Sequence, residues 1–330
     1  MISNAKKEIV VIGGGTGTFT VLSGLRNYNV NLTAIVSMAD DGGSTGTLRS
    51  ELGVLPPGDV RQCLVALSTS DAFINKLVNH RFTNGSLKGH NFGNILISAL
   101  EQVTGSFDKA IEKAGEILNI KGRVIPVTLE DITLMAKLEN GMVLEGEHTI
   151  DTGNLTGLEK IYLKNSANAN SKAIKAIENA DLIIIGPGDV YTSLLPNLLI
   201  QGISKVIQKN KNPKMFICNL MNKPGHTNNF SIVNLTEEIE KYLKDTFDFV
   251  LFNTAKPLEN LTKIYKEDGQ ETVSINLERL KKRKLRSKTK FFGTDLLSPI
   301  SINLQEGDNL KRSLVRHSPE KLAKLIFSVL

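Results

Sequence analysis

Asp40-Asp41-Gly42-Gly43-Ser44-Thr45 sets two carboxylates, two glycines and two hydroxyls in succession, a few residues after the apolar run Leu32-Thr33-Ala34-Ile35-Val36. Such a loop can do one of three things. Asp40 and Asp41 can offer oxygens to a hard cation such as Mg2+, which takes one or two carboxylates and fills its shell with phosphate oxygens. They can hydrogen-bond a ribose, or they can form an Asx-type turn that caps the next element. Downstream, Arg49 supplies a guanidinium fork of the kind that suits phosphate.

A second glycine cluster, Gly13-Gly14-Gly15-Thr16-Gly17, follows the apolar run Ile9–Ile12. Glycines there let backbone N–H groups approach an anion at a helix N-terminus, and Thr16 and Thr18 add hydroxyls. The spacing argues against NAD. That fingerprint needs glycine at the first, third and sixth positions, and the sixth position from Gly13 is Thr18. A Walker loop is also excluded, because no Lys-Ser/Thr pair ends the run.

Three further strings carry polar groups. Pro56-Pro57-Gly58-Asp59-Val60-Arg61 reads as a rigid turn into a helix, with Asp59 as its N-cap and Arg61 either on a phosphate or paired with Asp59 or Glu51. Lys88-Gly89-His90-Asn91-Phe92-Gly93-Asn94 puts a histidine at the start of an apolar helix and Asn94 within reach of a sugar hydroxyl. Gly186-Pro187-Gly188-Asp189-Val190-Tyr191-Thr192-Ser193, with Asn197 beyond, follows another apolar run. There Tyr191 is placed to stack on a base and Thr192 and Ser193 to take phosphate. A fourth loop, 219–227, offers Asn219 to a base edge. No nucleophile elbow or HExxH is present, so the candidate acid/base groups reduce to Asp40, Asp41, His90 and Asp189.

Positioning these loops requires strands that end where the loops begin. Short Ile/Val/Leu-rich runs at 8–12, 31–37, 123–128, 181–186, 214–220 and 248–252 are predicted strands. Helical periodicity falls at 17–28, 59–69, 71–80, 93–103, 107–118, 168–179, 191–208 and 235–244. This alternation predicts an α/β, Rossmann-like, three-layer domain over 1–330, with a mainly parallel sheet and its ligand at the strands' carboxyl ends. Residues 123–165, with glycine turns and alternating polarity, predict a β-hairpin excursion.

The chain has 330 residues and a net charge of +6. Eight of its basic residues lie between Arg279 and Lys290 with no acid among them, so the remainder is close to neutral. That run reads as a solvated face, or as a contact for an anionic partner. No aromatics interleave it, so specific nucleic-acid recognition is not expected. Cys63 and Cys218 lack metal-ligand spacing and are expected to be buried. No apolar stretch approaches membrane-spanning length. The expected location is the cytoplasm.

Six strings together, GGGTG at 13–17, ADDGGSTGTLR at 39–49, PPGDVRQ at 56–62, GHNFGN at 89–94, IGPGDVYTSLLPNLL at 185–199 and NLMNKPG at 219–225, resemble the CofD-like family. The closest resemblance is to its bacterial YvcK-type gluconeogenesis factor branch. The resemblance implies a nucleotide diphosphate held across the strand ends. In that branch the ligand is a UDP-sugar such as UDP-N-acetylglucosamine, and the role links carbon metabolism to cell-wall synthesis and cell shape; the many binding loops beside no persuasive catalytic set point to binding without turnover. A homo-oligomer and a protein partner in cell-wall synthesis are expected. In the CofD branch the same scaffold is a 2-phospho-L-lactate transferase using a guanosine diphosphate donor. This chain departs from the branch pattern at Thr47, at Asp189-Val190 and at Asn222–Thr227. A carboxylate at Asp189 beside phosphate requires a neutralising cation or lysine.

Overall fold

The computed structural model describes residues 5–299 and 314–329. Seven parallel strands form the main sheet: β1 (Lys7–Gly13), β2 (Val30–Val36), β3 (Arg123–Pro126), β7 (Leu182–Ile185), β8 (Lys214–Ile217), β9 (Phe249–Asn253) and β10 (Lys290–Thr294). Three antiparallel strands, β4 (Leu134–Leu138), β5 (Val143–Glu145) and β6 (Leu158–Leu163), make a separate small sheet in the order β5-β4-β6. Apart from the largely exposed edge strand β10, the parallel strands are mostly buried on both faces, which is why they read as unbroken apolar runs rather than alternations. Ile9, Ile12, Ile35, Ile183, Ile184, Ile185 and Phe216 are essentially inaccessible.

The strand order is β10-β9-β8-β7-β1-β2-β3. The chain therefore builds outward from β1 through β2 to β3, returns to the other side of β1 with β7, and builds outward again. That reversal puts a topological switch point between β1 and β7, where open α/β sheets receive ligands. Register makes the edge continuous: Gly13 lies opposite Val36, Ile12 opposite Ile185, and Ile185 opposite Phe216. The glycine-rich loops all leave from one edge of the sheet.

Helices α1 (Gly15–Leu25), α2 (Gly43–Leu52), α3 (Gly58–Leu67), α4 (Ala72–Asn79), α5 (Phe92–Thr104) and α6 (Phe107–Ile117) occupy the first half. Beyond them come α7 (Glu147–Thr152), α8 (Ser171–Glu178), α9 (Leu195–Leu199), α10 (Ile203–Lys209), α11 (Ile232–Leu243), α12 (Glu259–Glu267), α13 (Leu277–Arg286) and α14 (Pro319–Ser328). Together they sandwich the sheet in three layers. The contact between α1 and α14 is close enough that a Cβ on Gly24 would stand 2.2 Å from the Pro319 carbonyl oxygen.

Several boundaries differ from expectation, each for a local reason. The excursion starts after β3, because Arg123–Pro126 pairs with β2 in the parallel sheet. The expected 191–208 helix is broken: a π-helical turn at Val190–Leu194 leads into α9, and Gln201 then exchanges backbone bonds with Ala167 and Ala169 before α10. Asp59 does not cap α3. Pro57 is the N-cap, so Asp59 lies in the first turn with its side chain free to reach elsewhere. The basic run becomes α13 and the start of β10, with Arg279 and Arg283 paired to Glu237 and Glu240 of α11. Cys63 and Cys218 are buried as expected.

Candidate functional site

At the switch point, α1 begins on Gly15, whose φ of +62° is left-handed and favours glycine. Its N-cap, Gly14, gives no side-chain cap, and the buried Asp59 of α3 stands against the turn instead: its carboxyl accepts from the Gly15 N–H, and a Cβ on Gly14 would lie 2.2 Å from Asp59 Oδ2. The third loop packs tightly over this turn. A Cβ on Gly17 would sit 1.9 Å from the Pro187 carbonyl oxygen, and Asn197, fully buried, donates to the carbonyls of Ser193 and Gly13. Asn197 thus ties the two loops together instead of facing a ligand. Asn219 has a similar part, accepting from the Gly188 N–H at 3.0 Å. Thr18 turns its hydroxyl back onto the Gly14 carbonyl, which leaves Thr16 as the partly exposed hydroxyl of the first loop.

The second loop opens α2 with Gly42 as N-cap and Gly43 at φ +45°. Its carboxylates diverge. Asp40 accepts from the Gly42 N–H and faces Asp59, whereas Asp41 accepts from the N–H groups of Glu147 and His148, capping α7 from a distance in sequence. Buried Ser44 is a hub: its Oγ lies 3.3 Å from His90 Nδ1 and accepts from the Asn91 N–H and Asn94 Nδ2. Asn94 in turn accepts from Arg61 Nε, and Asn79 accepts from the other end of that guanidinium. Arg61 is therefore oriented by two asparagines rather than by Asp59 or Glu51. Arg49 is not a free phosphate fork, because it pairs with Asp131 and donates to the Ile132 carbonyl. Lys88 stands on an exposed turn.

Sequence reasoning missed the contribution of the small sheet. Helix α7 is carried from β5 into the ring of strand-end loops, where Asp151 accepts from Thr192 Oγ1 and pairs with Lys223. Lys223 also pairs with Asp189 at 3.1 Å, and His226 Nε2 lies 3.2 Å from the Gly153 carbonyl oxygen. The lysine that a carboxylate at Asp189 requires is supplied by the fourth loop. Asp189 itself caps the π-helical turn through the N–H groups of Tyr191 and Thr192. Tyr191 does not stack on a base from here: it is buried, 4% exposed, beside His226 and directed to Glu238 of α11. In sequence, only the departure at 222–227 hinted at this network. Nothing in the spacing of Glu147, His148 and Asp151 marked α7.

The cleft concentrates negative charge. Burial and the neighbouring Asp40 push the Asp59 carboxyl up to about 7. Burial, with Asp40, Asp151, Asp59 and Asp41 around it, pushes Glu147 up to about 9. Asp40 is raised by burial against the opposing Gly42 and Thr45 hydrogen bonds. Burial lowers Arg61 to about 10, still charged at neutral pH. Asp189 behaves oppositely: burial would raise it, but Lys223 and His226 outweigh that and hold it low. Among the described residues no three His, Cys, Asp or Glu side chains converge as a metal-ligating group. Asp40 and Asp59 alone would suit a cation that completes its shell on phosphate. Two hollows lie away from this cleft. One of about 870 Å³ sits near the amino ends of β1 and β3 beside α6 and α8, and one of about 430 Å³ lies between Ala255–Leu261 and Val315–Lys321.

A doubly wound parallel sheet with glycine-rich loops on both sides of its switch point defines a class of α/β scaffold that receives phosphorylated ligands at its carboxyl edge. The family model described as 2-phospho-L-lactate transferase CofD matches residues 9–291. A putative gluconeogenesis factor of Thermotoga maritima is 39% identical over 97% of this chain and 98% of its own length. The gluconeogenesis factor of Bacillus subtilis is 34% identical over 98% of each. A crystal structure of a UPF0052 family member from Bacillus halodurans superimposes with a TM-score of 0.88 at 33% identity, covering 98% of this chain and 99% of that one. The chain belongs to the CofD family, among the gluconeogenesis factor proteins. No helix of the described residues is long and apolar enough to cross a membrane.

Proposed function

We propose that the cleft binds a nucleotide diphosphate sugar of the UDP-N-acetylglucosamine type. In this reading the protein is a cytoplasmic regulator that adjusts cell-wall synthesis and cell shape to gluconeogenic growth, through a protein partner and without turnover. One observation carries the binding reading: the amide-rich start of α1 opens onto the switch point between two glycine loops locked together by Asn197. A diphosphate is the group such a cradle suits, because its charge would meet the helix dipole and the first-turn N–H groups of α1, taking over from the buried Asp59 carboxyl that accepts from the Gly15 N–H. The Ser44-His90-Asn94-Arg61 cluster lies on the β2 side of the same edge, where it can hold phosphate or sugar hydroxyls. Titration calorimetry with UDP-N-acetylglucosamine, UDP, GDP and NAD tests this. Heat with the uridine ligands and none with NAD is expected; no heat with any uridine nucleotide refutes it.

The carboxylates favour a second reading, a transferase acting on a nucleotide-diphosphate donor. Asp40 and Asp59, both raised by burial, would be the residues to hold Mg2+, which would supply positive charge against the diphosphate. Incubation with labelled donor, Mg2+ and candidate acceptors decides between the two. Donor that stays intact removes the transferase.

A further inference from the structure

We infer that the outer face of α13 is a docking surface for an anionic phospholipid bilayer. The helix is anchored from within: Leu280 is buried, Arg283 pairs with Glu240, and Arg279 pairs with Glu237, all on the side facing α11. At about 100° per residue, Leu277, Lys281, Lys284 and Leu285 fall together on the opposite side, within an arc of roughly 100°. Leu277 is 67% exposed and Leu285 88% exposed. Lys282 is occupied by Glu278, but among the described residues Lys281, Lys284, Arg286 and Lys288 have no acidic partner.

Two features select the occupant. Several unpaired cations in a dozen residues, in a chain otherwise near neutral, complement a surface carrying many negative charges. The two protruding leucines would gain nothing against a nucleic-acid backbone, and no aromatic side chain stands among the lysines to stack on bases. Leucines flanked by lysines on one surface helix match the bilayer interface, where the apolar tips enter the acyl boundary and the ammonium groups stay with the phosphates. The rigid seat on α11 presents this face without any refolding of the helix.

Co-sedimentation of the full chain with phosphatidylcholine vesicles, with and without about a third phosphatidylglycerol, tests the inference. Binding is expected only to the anionic vesicles and is expected to weaken steeply as salt is raised. Each cation near such a surface is worth roughly fivefold. The triple variant Lys281→Gln/Lys284→Gln/Lys288→Gln should therefore bind on the order of a hundredfold more weakly. Leu285→Ala should weaken binding several-fold without altering its salt dependence. All four residues are exposed, so unchanged thermal melting checks that these variants fold. Equal binding to neutral vesicles, full binding by the triple variant, or no vesicle binding beside tight retention of a labelled RNA oligomer would each overturn it.

Discussion

Lys223 pairs with both Asp151 of α7 and Asp189 of the third loop, so its removal probes how the small sheet is fastened to the cleft. Lys223→Met keeps the aliphatic stem and deletes the charge. Breaking a fully buried pair costs about 3–5 kcal/mol, and an exposed pair is worth at most about 1. The Lys223 side chain is 30% exposed and both aspartates 20%, which puts the cost between these limits, at about 2 kcal/mol. With a urea m-value of about 3 kcal/mol/M, the unfolding midpoint should fall by about 0.7 M at pH 7. The pH window follows from the signs. Asp189 is held below 3.8, so its contribution is present above that value and lost as pH falls through its lower native pKa. Lys223 is held above 10.5, so its contribution is present below that value and lost as pH rises through its native pKa. The full penalty should appear from about pH 5 to 10 and shrink outside that range. A double-mutant cycle with Asp189→Asn should show coupling of about 1 kcal/mol. A midpoint shift under about 0.2 M, or additive single variants, would refute the account.

Other perturbations test neighbouring parts of the site. Gly17→Ala puts a Cβ where the Pro187 carbonyl oxygen stands, 1.9 Å away, and should separate the first and third loops; loss of more than about 2 kcal/mol of stability, with ligand heat abolished, is expected. Asp59→Asn removes an acid whose native pKa is raised to about 7. Because the folded state favours its protonated form, the wild type should lose stability as pH rises from about 4 to 7. The variant should therefore melt higher than wild type at pH 8 and about equally at pH 4. Ser44→Ala withdraws the acceptor shared by the Asn91 N–H and Asn94 Nδ2, and should lower stability by about 1–3 kcal/mol while weakening nucleotide binding in calorimetry. Arg283→Ala leaves the nearly buried Glu240 without its partner, and limited proteolysis should then cut near α13 first.

Local rules made much of the scaffold legible. All six strand runs named from the sequence lie in the parallel sheet, because buried parallel strands are short and rich in Ile, Val and Leu. β10 was hidden because Lys290 opens it at the end of a basic run, and an edge strand needs only one partner, here β9. The loops themselves were legible; the directions of their side chains were not. Asp40 and Asp41 are adjacent in sequence yet point to different elements, one toward Asp59 and one to the N-terminus of α7. Arg49 looked free only because Asp131, its partner, lies 82 residues away. Tyr191 looked like a base platform because the π-helical turn that buries it cannot be read from residue types.

The small antiparallel sheet has more consequence for the site than its place as an insertion suggests. Through α7 it meets three of the strand-end loops: Asp41 caps its amides, Asp151 takes Thr192 and Lys223, and the Gly153 carbonyl lies beside His226. These contacts are polar and partly exposed, so each is individually weak, whereas β4, β5 and β6 are held to one another by a continuous ladder. The small sheet is also seated apart from α7: Leu134, Ala136 and Ile161 belong to the main apolar core, and the Ile161 N–H donates to the Tyr242 hydroxyl of α11. It brings Glu147, raised to about 9 and so neutral at pH 7, beside Asp40 and Asp59. A cation entering that cluster would lower all three carboxyls together, while an added phosphate without one would oppose them. Binding of a diphosphate with and without Mg2+ should then differ in proton exchange. Release of protons on joint addition, measured by calorimetry in buffers of different ionisation enthalpy, is the expected sign, and an identical heat in every buffer would refute the coupling.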